Sequence, residues 1–370
     1  MLTAIAQARQ SVELEAYIFA DDHTGRQFLL ALVKAAQSGV RVRVLADAYG
    51  SLLLPDNYFT PLIRAGGEAR FFNPLRFNRF GVRDHRKLLV CDRQTAFIGG
   101  TNISDDYRGD GVTHGWFDVM AQIRDADLAG RLAGEFERMF SDANFEHRPL
   151  PRIRAFRHLH RLADGEPKIF VVRPGRGAGA FQRALQRDLA AAASADFIVP
   201  YFLPNRRLRK RLGQIVRRGG RVRLILPAHC DVPLSRNASL VYYARLLRGG
   251  VEIYEYQPQV LHAKLYRVDG KVFAGSSNLD VRSFKLNYEL MVRFTDPPTV
   301  ADAKDIFSRV LKNSKRIELA EFRKSQNFWQ RWKNYWANFL LAQIDPLVAL
   351  RQLQPYGKKP NKAVSEITRP

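Results

Sequence analysis

Apolar residues recur at the spacing of a helix in some segments of the chain and at the spacing of a strand in others. In residues 24–39, TGRQFLLALVKAAQSG, they recur at the spacing of a helix and stop at a glycine, which predicts an amphipathic helix. The residues on its predicted inner face are Phe28, Leu29, Leu32, Val33 and Ala36. The next segment, VRVRVLAD at 40–47, alternates and then runs apolar, which is typical of a strand.

The same order of elements occurs twice, which indicates an internal duplication. Three pairs of segments match in order: 11–22 with 195–206, 39–47 with 219–227, and 62–72 with 246–256. The offset between the copies is 219 − 39 = 180 residues for the second pair. Strands that alternate with helices in each copy predict an α/β protein of two related lobes, each a sheet covered by helices.

The domain boundaries follow from this repeat. We place the first lobe at 1–146, a linker rich in Arg and Pro at 147–167, the second lobe at 168–310 and a basic tail at 311–370. The second lobe has an extra leading strand, KIFVVRP at 168–174, whereas the first copy begins inside the helix that follows this strand in the second. Either the first lobe lacks the strand or the chain starts late.

A short motif, H-x-K-x4-D, stands at the matching point of both copies. Its members are His85, Lys87 and Asp92 in the first copy and His262, Lys264 and Asp269 in the second. Each motif is followed by a Gly-Gly or Gly-Ser pair and then by an asparagine, Asn102 or Asn278. Because side chains alternate along a strand, each His and its Lys are predicted to face the same side.

Two such strand edges, brought together by a pseudo-twofold axis, suit a phosphodiester. Lysine and asparagine donors stabilise the charge that develops on the phosphate oxygens, and no metal ion is required. One neutral imidazole can attack phosphorus to form phosphohistidine, while the other protonates the leaving alkoxide and then activates the acceptor. The near symmetry of the copies leaves the choice of nucleophile open.

Further residues are assigned to the substrate side of the same site. Asp118 and Glu289 follow the two asparagines in strand-like segments and are predicted to orient the histidine rings. Ser276 either donates to a phosphate or permits a turn, and its counterpart is Gly100. The substrate-binding candidates are Asn102, Asn278, Ser276, Asp118 and Glu289.

The motif aspartates have two interpretations. Asp92 and Asp269 complete the catalytic motif, but each lies five residues beyond its lysine, near a predicted hairpin turn, where a carboxylate is more typical of a loop brace than of a group that touches substrate. The second hairpin is one residue shorter than the first, so we expect a tighter turn there.

The net charge of the chain indicates which classes of molecule it binds. Lys and Arg exceed Asp and Glu by 59 − 36 = 23, which implies an anionic partner: nucleic acid, an acidic membrane or a phosphate-bearing substrate. Two cysteines without a pairing pattern fit a reducing compartment. No apolar run reaches the roughly 18 residues of a spanning helix, and the N-terminus lacks a signal-peptide pattern. A soluble or surface-bound cytoplasmic protein is expected.

Two predicted helices, one aromatic and one basic, each have two possible roles. Residues 327–345 place Phe328, Trp332, Tyr335, Trp336, Phe339 and Leu340 on one helical face, opposite polar residues. This face predicts either a membrane-interface helix or a helix that docks on the core. The basic run at 206–221 is either a solvated helix face or a patch for anionic lipid.

The twin motifs resemble those of the phospholipase D superfamily, over roughly residues 1–310. The resemblance implies a bilobed α-β-α-β-α sandwich, one active site between the lobes, metal-independent transfer and no cofactor. Segments such as DHRKLLVCDRQTAFIGGTNIS and GSSNLDVRSFKLNYEL are similar to those of bacterial cardiolipin synthases, especially the short kind without transmembrane helices. Those enzymes transfer a phosphatidyl group between anionic phospholipids, commonly two phosphatidylglycerols.

This resemblance predicts a transferase of phospholipid biosynthesis that is peripheral on the cytoplasmic face of the bacterial inner membrane. A hydrolytic phospholipase D is the alternative, and a nuclease of the superfamily, which would also need positive charge, is a weaker one. Nucleic acid is therefore not the expected partner. The sequence does not indicate the oligomeric state.

Overall fold

The computed structural model describes residues 1–74, 81–143, 168–175 and 179–345. The predicted linker at 147–167 and the end of the tail lie outside these ranges. The first copy of the repeat forms α1 (Leu2–Gln7), β1 (Ser11–Ala16), α2 (His23–Gln37), β2 (Arg41–Asp47), α3 (Thr60–Arg64), β3 (Glu68–Phe72), β4 (Leu88–Cys91), β5 (Thr95–Gly99), β6 (Met120–Ile123) and α4 (Ala126–Ser141).

The second copy forms β7 (Lys168–Val172), α5 (Ala180–Ala191), β8 (Ser194–Ile198), α6 (Arg206–Arg217), β9 (Arg221–Pro227), α7 (Pro233–Arg248), β10 (Glu252–Tyr256), β11 (Leu265–Val268), β12 (Lys271–Gly275), α8 (Val281–Lys285), β13 (Glu289–Phe294) and α9 (Pro297–Lys312). The tail then adds β14 (Ser314–Arg316), α10 (Leu319–Ser325) and α11 (Phe328–Phe339), which continues into one π-helical turn, Leu340–Ile344. None of the helices in the described ranges is long and apolar enough to cross a bilayer.

The two sheets repeat the same strand order. The first is β3-β2-β1-β4-β5-β6, and the second contains the corresponding series β10-β9-β8-β11-β12-β13. In both, the first three strands are parallel and the last three are antiparallel. The extra strand predicted at 168–174 is β7, which pairs with β13 at one edge, and β14 pairs with β10 at the other.

Three large apolar cores among the described residues join the five layers. One core lies between the first sheet and α1 to α3, and includes Leu32 and Val44. A second lies between the two sheets, where α4 and α9 contribute Phe136 and Phe307. The third packs the outer helices of the second copy on its sheet, through residues such as Phe181. This is the predicted α-β-α-β-α sandwich, and the fold prediction is confirmed.

Local signals explain the boundaries of the predicted helix at 24–39. The carboxylate of Asp22 accepts a hydrogen bond from the amide of Gly25 at 2.8 Å and caps the start of α2. Gly39 follows the end with φ 84, a left-handed conformation that glycine adopts without strain. Phe28 and Leu32 are buried, as predicted.

The two hairpins differ as their spacing predicts. Cys91 pairs with Thr95 across a loop of three residues, whereas Val268 pairs with Lys271 across a loop of two. The tighter second turn is confirmed. Asp92 and Asp269 both start these turns in the left-handed region, at φ 54 and φ 50.

Candidate active site

Each repeated motif is hydrogen-bonded to the opposite lobe. His85 and Lys87 precede β4, and the amide of His85 donates to the carbonyl of Tyr288 at 3.0 Å. In the second copy, the amide of His262 donates to the carbonyl of Phe117 at 2.8 Å. These two exchanges are equivalent, so the pseudo-twofold axis of the molecule passes between the motifs.

The histidine rings are held by carboxylates that also cross between lobes. Nδ1 of His85 lies 3.0 Å from Oε2 of Glu289, and Nδ1 of His262 lies 2.7 Å from Oδ2 of Asp118. All four side chains are buried. A carboxylate accepts a hydrogen bond from a protonated Nδ1, so the lone pair of a neutral ring lies on Nε2. The structure therefore brings the predicted orienting carboxylates to the rings, each from the other lobe.

The residues that contact the two carboxylates, Glu289 and Asp118, differ between the copies. Ser276 Oγ donates to Oε2 of Glu289 at 2.5 Å, and Ser283 Oγ donates to Oε1 at 2.7 Å. Ser276 thus holds the carboxylate rather than facing a substrate. At the equivalent position, a Cβ on Gly100 would lie 2.3 Å from Oδ1 of Asp118. The first copy needs glycine there because the shorter Asp118 side chain lies directly against the backbone.

Both lysines are buried beside the rings. Lys87 Nζ donates to the carbonyl of His85 at 2.7 Å, and Lys264 Nζ donates to the carbonyl of His262 at 2.6 Å. Burial lowers the pKa of Lys87 to about 7, with a further contribution from Lys264, and lowers the pKa of Lys264 to about 8. Two buried ammonium groups favour binding of an anion, which would raise both pKa values.

The electrostatic surroundings of the two histidines are unequal. Burial, followed by Lys87 and Lys264, holds the pKa of His85 well below its usual value. Burial also lowers the pKa of His262, while the bond to Asp118 opposes this. Burial raises the pKa of Glu289 to about 7. Burial acts the same way on Asp118, but the contacts with His262 and Lys264 outweigh it and lower its pKa. Asp118 is therefore the stronger partner for a protonated ring.

The two asparagines are not equivalent. The side chain of Asn102 accepts from the amide of Ile18 and donates to Tyr107 Oη at 2.7 Å. Tyr107 Oη lies 3.3 Å from Nδ1 of His262, so Asn102 reaches that ring through the tyrosine. Asn278 is buried, and its Oδ1 has no hydrogen-bond partner among the described residues. The unpartnered atom is an oxygen, so it can accept a hydrogen bond from a ligand.

Asp92 and Asp269 lie at the far end of their strands. At about 3.3 Å per residue, five residues separate each from its lysine by roughly 16 Å. Asp92 accepts hydrogen bonds from the amides of Arg9, Gln10 and Ser11, and Asp269 accepts from those of Ala193 and Ser194. These contacts brace the start of β1 and β8, which corrects their assignment as catalytic groups.

Several aromatic side chains at the rings were not predicted. The ring of Tyr17 lies edge-on to His85 with centroids 5.0 Å apart, and that of Tyr201 lies 6.4 Å from His262. These tyrosines occupy the same position in the matching segments 11–22 and 195–206, so the repeat contained the signal. Trp116 also lies 5.6 Å from His262, with no counterpart in the other copy to indicate it.

The arrangement supports attack on an anionic ester. It offers neutral imidazole nitrogens, ammonium groups and an amide in one buried cluster to which both lobes contribute. A family model described as "Cardiolipin synthase, PLD-like domain" matches residues 1–140 and 187–311, which include all of these groups. The chain belongs to this family.

Individual relatives agree with the family assignment. Cardiolipin synthase B of Salmonella typhi is 31% identical over 93% of this chain and 85% of its own length. Cardiolipin synthase 1 of Bacillus anthracis is 30% identical over 88% of this chain, and the match spans 66% of that relative's length. The predicted resemblance to the superfamily is confirmed.

Among solved structures, the phosphatidylserine synthase of Haemophilus influenzae shares the fold. Its TM-score is 0.70 at 16% identity, over 94% of this chain and 92% of that one. The polyphosphate kinase of Porphyromonas gingivalis has a TM-score of 0.58 at 16% identity, over 86% of this chain and 46% of that one. These similarities concern the fold alone.

Proposed function

We propose that this chain is a phosphatidyltransferase that joins two phospholipids, as the name cardiolipin synthase describes for its relatives. The donor we propose is phosphatidylglycerol, and the phosphatidyl group is carried on a histidine. The observation that supports this most directly is the pair of buried histidines, each oriented by a carboxylate of the opposite lobe. A double displacement needs two imidazoles at one phosphorus, with one as nucleophile and one as acid and base.

We assign the nucleophile to His85. Its pKa lies well below the usual value, so the ring is neutral at pH 7, and its Nε2 carries a lone pair while Nδ1 bonds to Glu289. His262 faces an ionised Asp118, which opposes the lowering of its pKa by burial and makes it the more easily protonated of the two rings, as a general acid requires. The electrostatic difference between the two pairs therefore supports different roles for nearly symmetric residues.

In the first step, Nε2 of His85 attacks the phosphorus of the donor lipid. The bond from phosphorus to the headgroup oxygen breaks, and His262 gives its proton to the departing oxygen, so the headgroup leaves as a free alcohol. Lys87, Lys264 and the Nδ2 group of Asn278, as donors, offset the charge that develops on the non-bridging oxygens.

In the second step, His262 is neutral and acts as a base. It takes the proton from a hydroxyl of the acceptor lipid, whose oxygen attacks phosphorus as the bond to His85 Nε2 breaks. With two phosphatidylglycerols, the products are cardiolipin and glycerol. Water in place of the acceptor would give phosphatidic acid, so transfer and hydrolysis differ only in this step.

The proposed reaction takes place at a membrane surface. The charge of +23 fits anionic phospholipids as partners, and we propose peripheral association with the cytoplasmic face of the inner membrane. The absence of a metal cofactor remains a prediction, and activity that survives treatment with EDTA would bear it out.

The deciding experiment is incubation with phosphatidylglycerol vesicles, alone and with phosphatidylethanolamine, followed by product analysis. The proposal expects a two-phosphate lipid and free glycerol from the first mixture. Phosphatidic acid as the sole product would assign the chain as a hydrolase. Inertness toward lipids with cleavage of DNA would assign it as a nuclease.

A further inference from the structure

Helix α11 is packed on the protein by the face that an ordinary surface helix would expose. Ala337 is buried against Leu203 and Ala238, and Asn338 Nδ2 donates to Tyr242 Oη at 2.9 Å. Asn334 is also buried and donates to Gln326. The small and polar side of α11 therefore forms its contact with α7.

The opposite side of α11 carries large aromatic residues into solvent. We define the aromatic face as Phe328, Trp329, Trp332, Tyr335, Trp336 and Phe339. Their exposed fractions run from 72% for Phe328 to 37% for Phe339. Neighbouring rings contact one another along the helix, with centroids 5.6 to 6.4 Å apart. A continuous exposed apolar strip of this size marks an interaction site.

Positive charge borders the strip. Arg331 and Lys333 are exposed at its two edges. Trp and Tyr with flanking cations are the composition of protein segments that lie at the headgroup level of a bilayer. The charge selects an anionic surface.

The strip is also tied to the active site. Asp345, at the end of the same helical segment, pairs with Arg282 at 2.5 Å, and Arg282 donates to the carbonyl of Gly81 at 2.9 Å. Gly81 precedes His85 by four residues. The following residue in α8, Ser283, donates to Glu289. The end of the helical segment that carries the aromatic face is therefore linked through Arg282 to the segment before His85, and Arg282 is next in sequence to a residue that holds Glu289.

A second exposed apolar feature is linked to the segment that precedes His85. The loop after β2 exposes Leu52 and Leu53, the latter to 95%. Its base is attached through Asp47, which accepts from the amide of Asp84 at 2.8 Å and pairs with Arg83. Two exposed apolar features, one in the tail and one in the first lobe, are thus each linked to the residues that lead into His85.

We infer that the aromatic face and the Leu52–Leu53 projection bind the surface of an anionic bilayer and hold the active site against it. The inference deepens the proposed function by naming the surface that meets the lipid. A bilayer is the occupant that the bordering cations and the proximity to a lipid-processing site favour. A second copy of the chain is the rival occupant and is an outcome of the test.

Tryptophan fluorescence of the full chain tests the inference directly, because three of the four tryptophans lie in the aromatic face. Without lipid, iodide should quench most of the emission. Phosphatidylglycerol vesicles should shift the emission to the blue and remove this quenching, and lipids brominated near the headgroup should quench instead. Emission that iodide cannot reach before lipid is added, together with a dimer in light scattering, would assign the face to a second copy and overturn the inference.

Vesicle flotation with variants supplies the control. Trp329→Ser with Trp332→Ser should weaken partition onto phosphatidylglycerol vesicles by about tenfold or more, because apolar contact area is lost. The matched pair Leu30→Ser with Ile63→Ser removes two residues of similar exposure from α2 and α3 and should leave partition unchanged. Equal binding by the tryptophan variant and the wild type would overturn the inference. Because binding is measured without turnover, failure of transferase activity would sink the proposed function and leave this result standing.

Discussion

Nδ1 of His85 lies 3.0 Å from Oε2 of Glu289, although the two residues belong to different lobes and are 204 positions apart. The pair of His262 and Asp118 repeats the relationship in the opposite direction. Neither lobe therefore contains a complete acid–base unit. Catalysis requires the duplication to fold as one body.

Replacing the orienting carboxylates should impair chemistry more than folding. Glu289→Gln and Asp118→Asn keep the shape but present an amide that can hold the ring in the wrong tautomer. We expect kcat to fall by about 100-fold or more in each, with little change in the melting temperature. Steady-state kinetics and thermal denaturation measure both. A variant with near-normal kcat would show that its ring is oriented by another group.

The Gly-Gly and Gly-Ser forms of the two copies should not be interchangeable. Gly100→Ala would place a Cβ 2.3 Å from Oδ1 of Asp118 and push the carboxylate away from His262, so we expect a drop in kcat of about 100-fold. Gly134→Ala, in α4, meets nothing within 4 Å and should keep full activity. Equal activity of both variants would contradict the close fit around Asp118.

The motif aspartates should affect stability rather than turnover. Asp92→Ala removes acceptors for three backbone amides, and we expect a loss of about 1–2 kcal/mol in the free energy of unfolding. Asp92→Asn keeps an acceptor and tolerates the left-handed φ, so it should lose less. Chemical denaturation measures the loss of stability, and kcat of the folded fraction measures any loss of turnover. A kcat lowered 100-fold in a stable Asp92→Asn would return this residue to the catalytic group.

The buried lysines predict a dependence on pH. Their lowered pKa values mean that the ammonium groups of the free enzyme lose protons as the pH rises through about 7 for Lys87 and about 8 for Lys264. A bound phosphodiester favours the charged forms, so we expect kcat/KM to fall as the pH rises above about 7, and more steeply above about 8, while kcat persists to higher pH. Initial rates across pH 6 to about 10 test this. A kcat/KM that stays flat to pH 10 would mean that the lysines keep their protons without lipid.

Much of the fold could be predicted because the chain repeats it. Strand and helix periods at 24–47 recur in the second copy, and the shared order of elements indicates two sheets with helices. His85 and Lys87 were identified by the motif and its second occurrence. Arg86, between them, pairs with buried Glu15 of β1, but residues 85–87 precede β4, so the expectation that the motif lies within the strand was wrong.

The contacts between lobes could not be predicted from spacing. Nothing in the sequence indicates that Glu289 serves His85 rather than His262, because that depends on how two folded lobes meet. Ser276 was a candidate substrate contact, yet its hydroxyl is used by Glu289. For α11, the amphipathic pattern was correct, but a pattern alone does not show which face packs on the protein.

The central claim, a covalent relay between two histidines at one phosphorus, is tested most directly by trapping the intermediate. A phosphatidyl ester labelled with 32P, whose p-nitrophenolate leaves without a proton, should react with His262→Gln and accumulate label, because no base remains to activate the acceptor. Peptide mapping should place that label on His85, and His85→Gln should show none. Label on His262, or rapid turnover by either variant without a labelled histidine, would contradict the account.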